Sequence, residues 1–537
     1  MSSETVFSRF ASTAAAYRDH AFLHILPETA AIYGIETGTI SYGAMLQRVS
    51  RWQALLRDAG FGAGVRVGLL LQNRPVFLEI WFALNGLGAS VVPINPDLRL
   101  SELEYIVGHS EMDAAFVLPE RRDEIMAAAR NIGNAMPVMV PGEAIVPLAR
   151  PVPAAAPAGS DAEAALLYTS GTTGQPKGCV LTNDYFLHSG DWYRDVGGLI
   201  DLRPGQERML TPLPTFHMNA MAVSVMAMVT VGGCLIILDR FHPGTWWDSV
   251  RRSGATCLHY LGVMPSMLMG AAPDASDKLH AVRFGFGAGV TRELHDPFEA
   301  RFGFPLIEAW AMTETGSGGV IAATAEPRKT GTSCFGRPSA DVAIRIVDDA
   351  GQDVTDPAPG ELLVHRAGAN PRYGFFKEYL KNPAATDEAW AGGWFHTGDI
   401  VSRDEDGDLH FVDRKKNVIR RSGENIAAVE VEAIVSKHPL VEQVGIAATP
   451  DAVRGDEVAA LVVLRDAPAD AGTAEAIARW CLDQMAYYKV PGWIAFVDAL
   501  PLTPTQKILR AALKDQVADR MGKDAFFDLR ALKRRQV

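Results

Sequence analysis

The sequence predicts an α/β protein: a large N-terminal domain of doubly wound, mainly parallel sheets with a β subdomain, then a small α+β C-terminal domain. Three observations carry this reading. Short apolar runs of strand length alternate with amphipathic helical stretches early in the chain, and such alternation calls for parallel strands with crossover helices. Between about 335 and 412 the texture changes to short strands set off by Asp/Gly turns (AIRIVDDAGQDV, GELLVHR, DGDLHFVD), as antiparallel pairing requires. Helix and strand patterns return from 429 onward, after the basic run DRKKNVIRR, so the boundary falls near Lys416 and the domains are 1–415 and 416–537.

Each element follows from its residues. Residues 41–60 place Met45, Val49, Trp52 and Leu56 on one helical face and close on Gly60. VRVGLLL is a buried strand, FLEIWFALNGLG a helix and SVVPIN the next strand. Ser101 and Glu104 form a capping box that opens the helix SELEYIVGHS, and AAFVL is a strand after it. The Pro/Ala-rich stretch at 150–164 is a connector, followed by the strand ALLYT. Residues 221–238 (MAVSVMAMVTVGGCLIIL) are long enough to cross a bilayer, but Gly232 and Gly233 break them into a buried helix and a buried strand. No membrane span is expected.

Composition narrows the function classes. The chain has 537 residues, 48% hydrophobic and 21% charged, which fits a multidomain globular protein. Its 51 basic and 63 acidic residues give a net charge of -12, contrary to the basic field that nucleic-acid binding needs. Five cysteines without a C-x-x-C pair suggest neither a zinc site nor a disulfide framework. The N-terminus MSSETVFSRFAS has no apolar core of a secretory leader, so a reducing cytoplasm is expected.

The strand ALLYT delivers the chain into YTSGTTGQPKG at 168–178. Glycines let backbone approach a ligand closely, hydroxyls and N–H groups donate hydrogen bonds, and Lys177 adds a positive charge. This is equipment for polyphosphate, yet Pro176 and Gly178 flank the lysine where a P-loop needs glycine before it and a hydroxyl after it. A flexible surface turn is the plain alternative.

The rest of the chain identifies the loop. YTSGTTGQPKG, PTFH at 214–217, WAMTE at 310–314, GWFHTGD at 393–399, DRKKNVIRRSGENI at 413–426 and LPLTPTQKILR at 500–510 occur in the order seen in AMP-forming adenylating enzymes, which the chain resembles from about residue 40 to 515. That superfamily includes acyl-CoA synthetases, adenylation domains of peptide synthetases and luciferase. The region from FHMNAM through GVMPSML is similar to the carnitine/crotonobetaine-CoA ligase branch.

The resemblance implies ATP, Mg²⁺ and CoA as co-substrates or cofactors, with an acyl-adenylate formed first and a thioester second. It implies that Thr169, Ser170, Gly171, Thr172, Thr173, Gly174 and Lys177 serve the nucleotide, chiefly its outer phosphates. Thr313 would bond the α-phosphate and Glu314 would hold Mg²⁺. Gly287, Ala288, Gly289, Glu308, Ala309 and Trp310 would form the adenine site, with Trp310 stacked on the base. Asp399 and Arg414 would hold the ribose, a turn aspartate and a solvated basic run being the plain alternatives. Lys507 would bridge the substrate carboxylate and the α-phosphate. Rotation about Lys416 in the mobile C-terminal domain would exchange Lys507 for the pantetheine-facing loop Ser422, Gly423 and Glu424, with His217 as a gate. Most relatives carry tyrosine and glycine where this chain has Trp310 and Ala311, and glycine where it has Gln506.

The expected function is ATP-dependent activation of a small or medium carboxylic acid and its transfer to CoA. Loading of a carrier protein and a non-catalytic nucleotide-binding module are the alternatives. A monomer and a homodimer are equally compatible with the sequence.

Overall fold

The computed structural model describes residues 3–149, 159–169, 175–414, 418–501, 508–523 and 525–534. Contacts divide the chain into two compact units. The first comprises Met1–Pro96, Val107–Leu167 and Gly178–Asp413, the second Asp97–Ile106, Tyr168–Lys177 and Arg414–Val537.

The first unit is built on three sheets. An eight-stranded sheet runs in the order Ile321–Ala322, Leu306–Trp310, Phe284–Ala288, Cys257–Leu261, Arg208–Thr211, Cys234–Ile237, Ala21–Ile25, Gly38–Ser41. Its six inner strands are mutually parallel and its two edge strands antiparallel. In the seven-stranded sheet Arg66–Leu70 pairs in parallel with both Ser90–Pro93 and Ala114–Val117. The five-stranded sheet, from Cys334–Gly336 to Leu409–Arg414, pairs antiparallel and occupies the stretch where Asp/Gly turns announce it.

Local chemistry explains the elements. The helix Tyr42–Asp58 is capped by Ser41, whose side chain accepts from Ala44 N–H, and it buries Met45, Val49 and Leu56. Trp52, on the same face, is half-buried and donates Nε1–H to Glu79 at 3.1 Å. Residues 221–238 resolve as expected: a π-helical turn Asn219–Ser224 runs into the helix Val225–Val231, left-handed Gly232 caps it, and the strand Cys234–Ile237 follows. Among the described residues no helix is long and apolar enough to cross a membrane.

The capping box predicted at Ser101 and Glu104 is not the one that forms. The helix Leu100–Ser110 starts earlier, because the Arg99 carbonyl already accepts from Glu102 and Leu103 N–H. The Glu102 carboxylate then reaches back to Arg99 N–H at 2.9 Å, and Ser101 Oγ donates to the Gln484 carbonyl at 3.0 Å.

The second unit carries a six-stranded sheet centred on Gly455–Leu464, flanked by Val441–Asp451, Val418–Arg421 and Trp493–Phe496. Val431, Val435, Ile446, Val458, Ile477 and Ile494 form its core. Lys489 is buried there between Glu102 at 2.6 Å and Glu430 at 2.5 Å, so its charge is neutralised twice and its ammonium is held above the usual lysine range.

In the first unit, the helix His295–Phe302 is tied to the strand Leu306–Trp310 by one carboxylate. Glu299 accepts from Arg328 at 2.7 and 2.8 Å, from Leu306 N–H at 2.8 Å and from His295 at 3.1 Å. Burial opposes ionisation of Glu299, but the Arg328 guanidinium and the other donors prevail and hold its carboxyl at about 2, against an ordinary 4.5. A depressed carboxyl pKa stabilises the fold fully above the unfolded value and loses that contribution as pH falls through the folded one. Glu299→Gln should therefore cost about 1–3 kcal/mol at neutral pH. Its melting-temperature deficit should shrink as the pH is lowered from about 5 toward 2; a deficit independent of pH would contradict the assignment.

Candidate active site

Four neighbouring parallel strands, Arg208–Thr211, Cys257–Leu261, Phe284–Ala288 and Leu306–Trp310, end along one edge of the eight-stranded sheet. Ligands of open parallel sheets gather beyond such carboxyl ends, and these four deliver 214–221, 261–264, 288–290 and 310–316.

Glycine is required where these loops approach one another. A Cβ on Gly287 would lie 2.2 Å from the Tyr260 carbonyl, one on Gly262 only 1.6 Å from the Gly289 carbonyl, and Gly289 itself has φ +82°. Beneath the loop lies Glu308, 8% exposed. Its carboxylate accepts from Gly289 N–H at 2.9 Å, Val290 N–H at 3.0 Å and Tyr260 OH at 3.0 Å. Burial pushes the carboxyl up and the two N–H groups oppose it. Glu308, expected at the adenine site, turns its side chain to the main chain that frames the loop. Ala309 lies in the strand, paired with Ala322.

Trp310 is buried and donates Nε1–H to Asp399 Oδ2 at 2.8 Å. The structure thus brings together the residue expected at adenine and one expected at ribose, which lie far apart in sequence. It also gives the tryptophan a bond that a tyrosine ring could not make from the same atom. Asp399 is itself buried, with its N–H donated to Thr397 Oγ1 at 3.0 Å.

The segment after Trp310 is pinned from several sides. Tyr185 OH donates to the Thr313 carbonyl at 2.9 Å, Met312 N–H to Thr315 Oγ1 at 2.9 Å, and Phe376 N–H to the Glu314 carbonyl at 2.8 Å. The buried Glu314 carboxylate accepts from Tyr379 OH at 2.9 Å. A buried, oriented carboxylate oxygen is the kind of hard ligand that Mg²⁺ takes, so Glu314 fits the ion it is expected to hold. Tyr185 and Tyr379 escape sequence reasoning because each acts across a long separation and belongs to no motif.

His217 ends a turn, its N–H donated to the Pro214 carbonyl at 3.0 Å, and its ring packs 4.6 Å from Phe216. Asn73 holds this turn in place: its amide donates to the Leu213 and Leu238 carbonyls at 3.0 and 2.9 Å and accepts from Thr215 N–H at 2.8 Å. Behind the π-helical turn, buried His259 bridges Ser224 Oγ at 2.7 Å and Tyr193 OH at 3.1 Å. Burial pulls that imidazole down to about 3, so it is a neutral structural link.

In the second unit, Thr169 ends the strand Glu163–Thr169 and Lys177 begins Lys177–Thr182, while Tyr105 OH donates to the Pro176 carbonyl at 2.7 Å. Ser422 and Gly423 form the turn between Val418–Arg421 and Glu424–Ala427, with φ of 51° and 90°. Ser170, Gly171, Thr172, Thr173, Gly174, Lys416, Lys507 and the Arg414 side chain lie outside the described residues. Among the described residues the one acidic cluster with metal-ligand spacing, Asp404, Asp406 and Asp408, is already met by the Lys329 ammonium at 2.6, 2.6 and 3.2 Å.

Fold and site together define an enzyme that activates a carboxylic acid with ATP. A profile of the AMP-binding enzyme family matches residues 12–375, and one of the AMP-binding enzyme C-terminal domain matches 430–507. A crotonobetaine/carnitine–CoA ligase of Shigella flexneri is 30% identical over 514 residues, spanning 91% of this chain and 97% of its own. The o-succinylbenzoate CoA synthetase of Bacillus subtilis shares the fold with TM-score 0.81 at 24% identity, covering 95% and 98% of the two chains. A fatty acyl CoA synthetase of Mycobacterium tuberculosis gives TM-score 0.66 at 25% identity, over 96% and 98%. The chain belongs to the AMP-binding enzyme family, and its activity is that of an AMP-forming acid:CoA ligase.

Glu308→Ala removes the acceptor for two loop N–H groups while leaving every ligand-facing atom in place. The loss of such buried partners is worth about 1–3 kcal/mol, so ATP affinity measured by calorimetry should fall by about 5- to 150-fold. Unchanged ATP affinity in the folded variant would mean that the carboxylate does not set the loop.

Proposed function

We propose that the enzyme activates a small or medium carboxylic acid without an α-ammonium group. The observation that carries the reading of the site is Glu314 on a pinned segment beside Thr313, in the same unit as the buried Trp310–Asp399 pair. A carboxylate cannot be acylated onto a thiol directly because its leaving group would be oxide; attack on the α-phosphate of ATP exchanges that for AMP.

Thr313 and Lys507 stabilise the negative charge that develops on the α-phosphate, and Lys507 also orients the acid's carboxylate. Glu314 holds Mg²⁺, which when bound neutralises phosphate charge and helps pyrophosphate leave. Ser170 to Gly174 and Lys177 hold the outer phosphates, while Asp399 and Arg414 hold the ribose. The support for these roles is the position of each residue in the family's motifs, and for Glu314 and Asp399 also their burial.

Thioester formation uses other groups: the Ser422–Glu424 turn for the pantetheine arm and His217 as a gate beside the acyl pocket. Residues 417–537 would turn about Lys416 between the two steps. Amino-acid-activating relatives have aspartate at the place of His217, which is why an α-ammonium is not expected. Pyrophosphate release across linear acids of increasing length and their hydroxylated, aromatic and betaine analogues, with and without CoA, tests the substrate class. Strong preference for an α-amino acid would overturn it.

Lys507→Ala should slow adenylate formation by about 10²- to 10³-fold, the scale for one charge-stabilising group. Its ATP affinity, and thioester formation from supplied acyl-adenylate, should stay near wild type. A normal adenylation rate would remove Lys507 from the chemistry.

Glu314→Gln keeps shape and loses charge. The variant should need about ten-fold more Mg²⁺ for half-maximal pyrophosphate release, since a neutral amide is a weaker ligand for a hard ion. If the Mg²⁺ titration is superimposable on wild type, Glu314 is structural only.

A further inference from the structure

The C-terminal tail has no part in the function as derived so far, yet it is built into the second unit with care. After the helix Arg510–Met521 the chain forms the strand Phe527–Asp528 against Trp493–Phe496, with Leu529 N–H donated to the Gly492 carbonyl at 2.9 Å. Two basic side chains then meet acidic partners, the first exposed and the second buried. Arg530 lies over the Trp493 ring at 4.3 Å and pairs with Asp451 at 3.1 Å. Lys533, whose side chain is fully buried, donates to Glu457 Oε1.

Both acidic partners lead to the same turn. Glu457 Oε2 accepts from Arg421 Nε at 2.8 Å, with the two side chains 0% and 2% exposed, and Glu457 Oε1 also accepts from Val458 N–H at 2.8 Å. Arg421 is the residue directly before Ser422 and pairs across the hairpin with Glu424. Asp451 accepts from Arg454 N–H at 2.9 Å, and Arg454 returns its carbonyl to Ser422 N–H at 2.9 Å and its guanidinium to Ser422 Oγ at 3.3 Å. The Ser422–Gly423 turn, with both residues in the left-handed region, is therefore gripped on each flank by a carboxylate that the tail holds.

We propose that the C-terminal tail works in the thioester step: Lys533, through Glu457 and Arg421, is a positioning residue for the Ser422–Gly423–Glu424 turn, and Arg530, through Asp451, is its second anchor. This rests on the reading of that turn as the CoA-facing one. The chemistry explains why a lysine is needed although Arg421 already neutralises Glu457. One carboxylate oxygen serves Arg421 and the other is fixed by Lys533 and Val458; without the lysine the carboxylate can rotate and Arg421 moves with it. A misplaced turn would leave the nucleotide chemistry alone and cost the approach of the thiol, where small displacements are expensive.

The test uses the full chain and the acid turned over best in the panel. Lys533→Met leaves a charge-balanced buried pair, so the fold should persist with little change in melting temperature. Expected is a fall of about ten-fold in kcat/KM for CoA, with adenylation measured by pyrophosphate release changed less than about two-fold. Lys533→Arg should recover most of the loss, and Arg530→Met should show the same split. Equal loss in both half-reactions, or no loss in either, overturns the proposal. Gly423→Val separates it from the reading of the turn. If that variant loses the CoA step while Lys533→Met and Arg530→Met keep it, the tail is excluded and the turn stands. If Gly423→Val keeps the CoA step, the turn's assignment falls and the tail's role with it.

Discussion

A carboxylate buried under a glycine turn is the constraint on which the nucleotide side of this site depends. Gly287 and Gly262 are there because the Tyr260 and Gly289 carbonyls come too close for any side chain, and Gly289 because its φ is +82°. A segment without side chains cannot hold itself by packing, and its shape has to be imposed through its N–H groups. Glu308 does this with two main-chain bonds and one phenol. Without those donors the charge could not stay buried, and without the charge the N–H groups would have no partner. The loop and the carboxylate stabilise each other, and the position of Trp310, two residues after Glu308, follows from that arrangement.

The same logic extends along the sheet edge. Two of the loops that leave parallel strands are pinned by polar side chains from elsewhere: Asn73 under 213–215, Tyr185 and Tyr379 under Thr313 and Glu314. None of these belongs to a motif. Reactive groups must sit on loops to reach a ligand, and loops lack the repeating hydrogen bonds that make strands rigid. Long-range side-chain bonds supply that rigidity while leaving the ligand-facing surface clear.

What could be read from the sequence divides along this line. Periodic burial is local, so Met45, Val49 and Leu56 reveal the helix Tyr42–Asp58, and the broken apolar run at 221–238 reveals a helix and a strand. Motif order reveals the family, and through it the residues expected to carry chemistry. Supporting contacts leave no such trace: Glu102, two residues into its helix, meets Lys489 at 2.6 Å, a pairing that no short-range pattern encodes. Helix Leu100–Ser110 shows the limit within a single turn. Ser101 and Glu104 fit the capping pattern, but Glu102 takes the role because the cap falls at Arg99, two residues earlier, and places Glu102, not Glu104, three residues after it. The bond from Trp310 to Asp399 was likewise invisible, since it joins two motifs through one indole nitrogen.

The second unit repeats, on a smaller scale, the construction under Gly289. Its turn also contains a glycine with positive φ, Gly423, and it too is governed by a buried carboxylate, Glu457, that contacts the flank and not the ligand-facing atoms. The difference is in what meets the charge. Under Gly289 the partners are neutral dipoles, which hold a loop in one place. Under Gly423 they are two basic side chains, Arg421 and Lys533, the second near the end of the chain. Burial makes such a pair costly to break, because losing one partner leaves the other charge uncompensated. A turn so held would stay rigid if the unit that carries it moved, because every atom of the grip belongs to that unit. The proposed exchange of two different groups by one small domain would need that property more than a stronger bond.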